Sequence, residues 1–176
     1  MIQVSNSSQS TAAEPQEFEP RIVAFLCKWC SSAGSDLAGV SRIQYPANAT
    51  PITIPCSGAV SPMYILSAFN KGADGVLVSG CHPGDCHYME GNFLSRRKLY
   101  LVRNLLQFIG LESDRFRMSW VSAAEGAKFA EVVEEFVSDL RTLGPQNRLA
   151  AQRRTNAAGA EGAEAVRTLK ATKAKR

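Results

Sequence analysis

Five cysteines carry the chemistry this sequence can offer: Cys27, Cys30, Cys56, Cys81 and Cys86. Cys27-Lys28-Trp29-Cys30 is a C-x-x-C. Gly80-Cys81-His82-Pro83-Gly84-Asp85-Cys86-His87-Tyr88 holds two more cysteines and both histidines of the chain. Thiolates are soft ligands, and four of them hold a zinc ion or an iron–sulfur cluster. A [2Fe–2S] cluster needs two cysteines per iron. Cys27 with Cys30 and Cys81 with Cys86 could each supply a pair. Cys56 could replace one member or sit beside the site. Any four of the five satisfy the count, so the ligand set stays open. His82 and His87 could ligate, as histidine does in a Rieske centre, or pack against the sulfurs. Trp29 could shield the site or face a partner. Asp85 is expected to cap the turn or the following helix.

The elements around these residues alternate. Ile22–Leu26 is a continuous apolar run and reads as a buried strand. Ser31–Val40 can form a short helix. Residues 46–51 read as a loop, followed by a short strand at Ile52–Ile54. Ser61-Pro62 starts a helix whose apolar side is Met63, Ile65, Leu66 and Phe69, with Gly72 at its end. Val76–Val78 is a third buried strand, bounded by Gly75 and Gly80. A long helix follows from about Glu90 to Phe108. Leu94, Leu101, Leu105, Leu106 and Ile109 suit its buried side, and Arg96, Arg97, Lys98 and Arg103 suit solvent or an acidic partner. Phe116–Val121 is the fourth strand. Ser122-Ala123-Ala124-Glu125 is a capping box, and the helix behind it repeats apolar residues from Phe129 to Leu140 before Gly144-Pro145.

Strands alternating with helices predict an α/β fold: one open parallel four-stranded sheet, order 2-1-3-4, with helices on both faces. In that order Cys27, Cys56 and Cys81 lie at the carboxyl ends of adjacent strands. The topology, not the spacing, brings them to one edge. One domain is expected over residues 21–144, between a disordered segment 1–20 and a flexible basic Ala/Arg/Lys-rich tail 145–176.

Composition narrows the function classes. The net charge is +4, but residues 145–176 hold eight Lys/Arg and two Asp/Glu, leaving the rest at −2. The fold itself is therefore not expected to bind nucleic acid. No apolar run is long enough to span a membrane. No secretory signal is visible and the cysteine count is odd, so a reduced, cytoplasmic protein is expected. G-x-G-x-x-G after a strand, G-x-x-x-x-G-K-[ST], H-E-x-x-H and G-x-S-x-G are all missing. Nothing resembles the apparatus of a stand-alone enzyme. Two alternatives to an iron–sulfur electron carrier remain. One is a thiol–disulfide oxidoreductase using Cys27 and Cys30. The other is a structural zinc module serving as an interaction platform.

The Cys27-Lys28-Trp29-Cys30, Pro55-Cys56-Ser57-Gly58, Gly80–Tyr88, Gly91-Asn92 and Arg96-Arg97 motifs together resemble the delta subunit of methyl-viologen-reducing hydrogenase, over about residues 20–144. The resemblance implies a non-catalytic electron-transfer subunit with one [2Fe–2S] cluster. It implies partners on two sides: a hydrogenase or formate dehydrogenase module, and a flavin-containing heterodisulfide-reductase-like subunit. All five cysteines of the family pattern are present. The Ala/Arg/Lys-rich tail departs from that pattern.

Overall fold

A computed structural model describes residues 18–147 and 149. The expectations for residues 1–17, 148 and 150–176 lie outside the described residues. Four parallel strands, β1 (Ile22–Cys27), β2 (Ala49–Ile54), β3 (Gly75–Gly80) and β4 (Phe116–Trp120), form one sheet in the order β2-β1-β3-β4. Helices α1 (Ser31–Val40), α2 (Pro62–Asn70), α3 (Gly91–Phe108) and α4 (Gly126–Leu143) cover it. This is the predicted α/β architecture and strand order.

Each face of the sheet seals its own core. Phe25, Val76 and Val78 face Ile65 and Phe69 of α2 and Leu99, Val102 and Leu106 of α3. Ala24, Leu26 and Leu77 face Ala38 of α1 and Phe129, Val133, Phe136 and Leu140 of α4. Alternate residues of one strand point to opposite faces, and here both faces are buried, so β1 and β3 read as unbroken apolar runs. Close approach sets the α1–α4 contact. A Cβ on Gly126 would meet Ala38 N at 2.8 Å, and one on Gly34 would meet Ser122 O at 2.8 Å.

Three details differ from the sequence-based expectation. β2 begins at Ala49 and takes in Pro51, inside the span expected to be a loop. It is an edge strand with an exposed middle, where a residue lacking an N–H costs the ladder little. On α2, Ile65 and Phe69 are buried but Met63 faces out. On α3 the inward stripe is Asn92, Ser95, Leu99, Val102 and Leu106. Leu94, Leu101 and Leu105 point away from the core, while Leu106 and Ile109 do turn inward. The inward stripe looks polar at its start because that turn packs on the cysteine loops rather than on the aliphatic core.

Arg115 is the largest fully buried side chain, and hydropathy gives no hint of it. Its guanidinium donates to the carbonyls of Asp74, Leu143 and Gly144 and pairs with Glu112 at 2.8 Å. It thereby ties the end of α4 to the start of β3. Arg115→Met removes these donors and leaves buried carbonyls unpaired, so urea unfolding of the metal-free chain is expected to show a loss of about 3 kcal/mol. Secondary structure should be unchanged before the transition.

Candidate metal centre

The strands end in step. Cys27 is level with Ile54, and Leu26 with Ser79. Cys27, Cys56 and Cys81 therefore leave the sheet side by side, at the crevice where a parallel sheet changes winding direction. Cys30 returns to the edge one turn after Cys27, as the residue before α1. Cys86 sits in the loop between β3 and α3. All five are free thiols and all five are buried.

The close contacts run between segments. Cys27, Cys30 and Cys81 hold their sulfurs within 4.8 Å of one another, with Cys27 Sγ and Cys81 Sγ 3.9 Å apart. Cys56 Sγ and Cys86 Sγ are also 3.9 Å apart. A tetrahedral metal with thiolate bonds of about 2.3 Å sets its sulfurs about 3.8 Å apart. Each pair thus spans one edge of a metal tetrahedron. The pairing differs from the sequential one: Cys81 lies with Cys27 and Cys30, and Cys86 lies with Cys56.

Backbone N–H groups point at the sulfurs. Gly58 N–H donates to Cys56 Sγ at 3.4 Å. Cys27 receives the N–H groups of Trp29 and Ser57. Cys86 receives those of Tyr88, Asn92 and Gly91, at the start of α3. These contacts set the acidities. A hydrogen bond from Cys30 pulls the Cys27 thiol down to about 5 against the effect of burial. The same bond, with burial, pushes Cys30 far up. Burial raises Cys56 and Cys81. For Cys86 burial is outweighed by the backbone N–H groups and the Cys56 thiol, and the net shift is downward. Ionising any of these thiols raises the cost for its neighbours. A bound cation removes that penalty, which couples metal uptake to proton release.

The surrounding residues fix the loops. Asn92, buried at the first turn of α3, donates to the carbonyls of His82 (2.6 Å) and Cys81 (3.4 Å). Lys98 reaches back to the carbonyls of Gly58 (2.8 Å) and Val60 (3.1 Å), holding the Cys56 loop. It is not part of a solvated basic face. His82 Nε2 meets Glu125 Oε2 at 2.7 Å, and the same oxygen accepts the Ser122 N–H at 2.7 Å. The Glu125 half of the predicted capping box is therefore present, and it doubles as an anchor for the Cys81 loop. His87 stacks on Trp29 with ring centres 3.7 Å apart, and Trp29 Nε1–H donates to the Tyr88 hydroxyl. Both histidines thus have partners other than sulfur. Asp85 lies well before α3, which starts at Gly91, and caps no helix.

Gly91 is the residue that sequence motifs alone leave without a role. A Cβ there would stand 2.3 Å from Cys56 Sγ and 3.1 Å from Cys86 Sγ. Gly58 repeats the device, with a Cβ meeting Gly91 O at 2.6 Å. Gly91→Ala is expected to leave far-UV circular dichroism unchanged but to displace this thiol pair, so metal uptake by the purified chain falls severalfold. Uptake equal to wild type would contradict the close packing. A second expectation concerns acid. The Ser122 N–H, then His82, lower the Glu125 carboxyl from its ordinary 4.5 to about 2. A depressed carboxyl contributes stability above its unfolded value and loses it as pH falls. Glu125→Gln should lower the melting temperature of the metal-free chain at pH 7, and the deficit should shrink between pH 4.5 and 2.

The comparisons with known proteins agree with one another. A family model described as methyl-viologen-reducing hydrogenase, delta subunit, matches residues 22–144. The chain is 48% identical over 130 residues to the iron-sulfur subunit of the F420-non-reducing hydrogenase of Archaeoglobus profundus, covering 74% of this chain and 95% of that protein. It is 43% identical over 130 residues to the iron-sulfur subunit of the F420-non-reducing hydrogenase vhc of Methanococcus voltae, covering 74% and 90%. It is also 48% identical over 126 residues to one subunit of the ferredoxin/F(420)H(2)-dependent CoB-CoM heterodisulfide reductase of Methanosarcina acetivorans, covering 72% of this chain and 16% of that longer protein. A unit like this one therefore occurs both within a larger polypeptide and as a separate subunit. With a model match over most of its length and relatives of this identity, the chain belongs to the family of the methyl-viologen-reducing hydrogenase delta subunit.

Proposed function

We propose that this chain is an electron-transfer subunit that holds one [2Fe–2S] cluster at the carboxyl edge of its sheet, within a unit spanning residues 21–144. The observation that carries this is the split of the thiols into two sets, each with a 3.9 Å sulfur pair. Two irons with two thiolates each would take Cys56 and Cys86 at one end. Two of Cys27, Cys30 and Cys81 would serve the other. The donor set fits such a group: backbone N–H groups already aim at Cys27, Cys56 and Cys86, and hydrogen bonds to sulfur tune its potential. The names of the iron–sulfur relatives support the same choice of metal.

The cluster, when bound, supplies one-electron chemistry. The protein's own work is to hold four sulfurs in place, to exclude water and to present an exit. Cys27, Cys30 and Cys81 are the more deeply buried, while Cys56, paired with Cys86, borders a cavity of about 420 Å³ with Met89 and Leu94 on its wall. The exit is on that side. In line with the family, the electron partners are a hydrogenase or formate dehydrogenase module and a flavin-containing heterodisulfide-reductase-like subunit. Among the described residues no helix is long and apolar enough to cross a membrane.

Cys27, with its lowered pKa, has the acidity a thiol–disulfide oxidoreductase needs. It is only 1% exposed and has a third thiol, Cys81, against it. Reactive redox cysteines are partly open to their substrates. Lone zinc would leave one set of thiols unused, because the sulfurs lying mutually within 4.8 Å are three and not four.

A Cys→Ser series tests the assignment, reading iron and acid-labile sulfide per chain after anaerobic reconstitution. Cys56→Ser and Cys86→Ser should each abolish the cluster or change its visible spectrum sharply. Of Cys27→Ser, Cys30→Ser and Cys81→Ser, two should do the same and one should leave the spectrum nearly intact. Retention of the wild-type spectrum in both Cys56→Ser and Cys86→Ser would remove that pair from the site.

A further inference from the structure

We propose that the outer face of α3 is the docking surface for the flavin-containing electron partner, and that this partner presents an apolar centre flanked by carboxylates. The proposal rests on the electron-carrier function above and names the surface through which that function would act.

The outward stripe of α3 is apolar where a solvent-facing helix should be polar. Phe93, Leu94, Tyr100, Leu101 and Phe108 are all exposed, Leu101 by 67% and Phe108 by 89%. Scattered exposed apolar residues are ordinary, but a contiguous stripe of large ones along one helix marks an interaction site. Aromatic residues and arginine, the types found here, are the ones enriched in interface centres. Phe93, Arg96, Arg97, Tyr100 and Leu101 also line one shallow depression, with space of about 550 Å³.

Charge selects the occupant. Residues 91–108 contain four basic side chains and no Asp or Glu. Lys98 is turned inward to the Cys56 loop, and Arg103 pairs with Asp114. Among the described residues, Arg96 and Arg97 have no carboxylate partner. A second copy of this chain packing α3 against α3 would oppose like charges and bring no acid. The basic tail has the wrong sign, with eight Lys/Arg against two Asp/Glu. The segment 1–17 has two acids but only Met1, Ile2 and Val4 as large aliphatic residues, too few to cover this stripe. A separate protein with an acidic-rimmed apolar surface matches both the charge and the size.

The stripe is continuous with the exit. Leu94 lies on it and also lines the cavity at Cys56 and Gly91. Gly91, the first residue of α3, lies directly under Cys56 Sγ and Cys86 Sγ. A partner seated on α3 therefore rests against the more open end of the thiol site. Basic residues at its edge steer an acidic partner and make the association salt-dependent.

The test uses the full-length tagged chain, purified anaerobically from cells that make it naturally, with iron per chain and bound flavin counted together. The wild type should carry a flavoprotein, seen by its flavin absorbance. Leu101→Asp should carry at least about tenfold less flavin per chain. Arg96→Glu with Arg97→Glu should also reduce it and flatten its dependence on salt. Both should keep wild-type iron and far-UV circular dichroism. Glu134→Lys, on the exposed side of α4, should change nothing. Unchanged flavin in both α3 variants overturns the proposal. So does a wild type that carries no flavoprotein at low salt. So does a shift from dimer to monomer on Leu101→Asp, which would assign the stripe to a second copy. An iron-free wild type that binds the flavoprotein and loses it on Leu101→Asp would keep the docking face and sink the electron-carrier function. Normal iron with undisturbed flavin would sink the docking face alone.

Discussion

Everything at this site depends on three parallel strands ending at the same level. β1 lies between β2 and β3, and its register sets Cys27 level with Ile54 and Leu26 level with Ser79. Two residues beyond Ile54 and Ser79, the neighbouring strands bring Cys56 and Cys81 to the same edge. A slip of one residue in either ladder would reverse the facing of every side chain, bury the wrong set and move a cysteine away from the edge. The two apolar cores resist such a slip, because β1 and β3 are sealed on both faces by different helices. The packing that stabilises the fold is thus also what sets the spacing of the thiols.

The Cys56 and Cys86 pair depends on how α3 begins. Its first turn packs directly on the Cys56 and Cys86 sulfurs, and only a residue without a Cβ fits there. The same turn supplies backbone N–H groups to Cys86 and the Asn92 amide to the Cys81 loop. Lys98, farther along, holds the Cys56 loop. One helix therefore positions two loops and the three cysteines they carry. Opposing needs meet here: buried thiols resist ionisation, and a metal centre requires thiolates. Backbone donors offset part of that cost before any cation arrives.

Much of this was legible in the sequence. Unbroken apolar runs separated by amphipathic helices are sufficient to predict a parallel sheet, and its order then brings the cysteine loops to one edge. The partition of the thiols was not legible, because proximity in sequence favours Cys81 with Cys86, whereas the α3 turn draws Cys86 to Cys56. The face of α3 was misjudged for a physical reason. Its Leu residues outnumber the small polar ones that actually face inward, and hydrophobicity alone prefers Leu94 and Leu101 to Asn92 and Ser95. Glycine at position 91 gave a weak signal, readable only once its sulfur neighbours were known. The buried role of Arg115 gave none, since its partners are carbonyls far apart in sequence.

Two irons, each held by two thiolates at this edge, would have a distinct magnetic signature. The most direct measurement is the electron paramagnetic resonance spectrum of the anaerobically purified chain, oxidised and then reduced, alongside its metal content. The oxidised state should be silent. Reduction should bring up a single signal from one paired-iron centre, with iron and sulfide in equal amounts. A colourless protein that contains zinc, and that gives no such signal even after iron and sulfide are supplied, would contradict the paired-iron site.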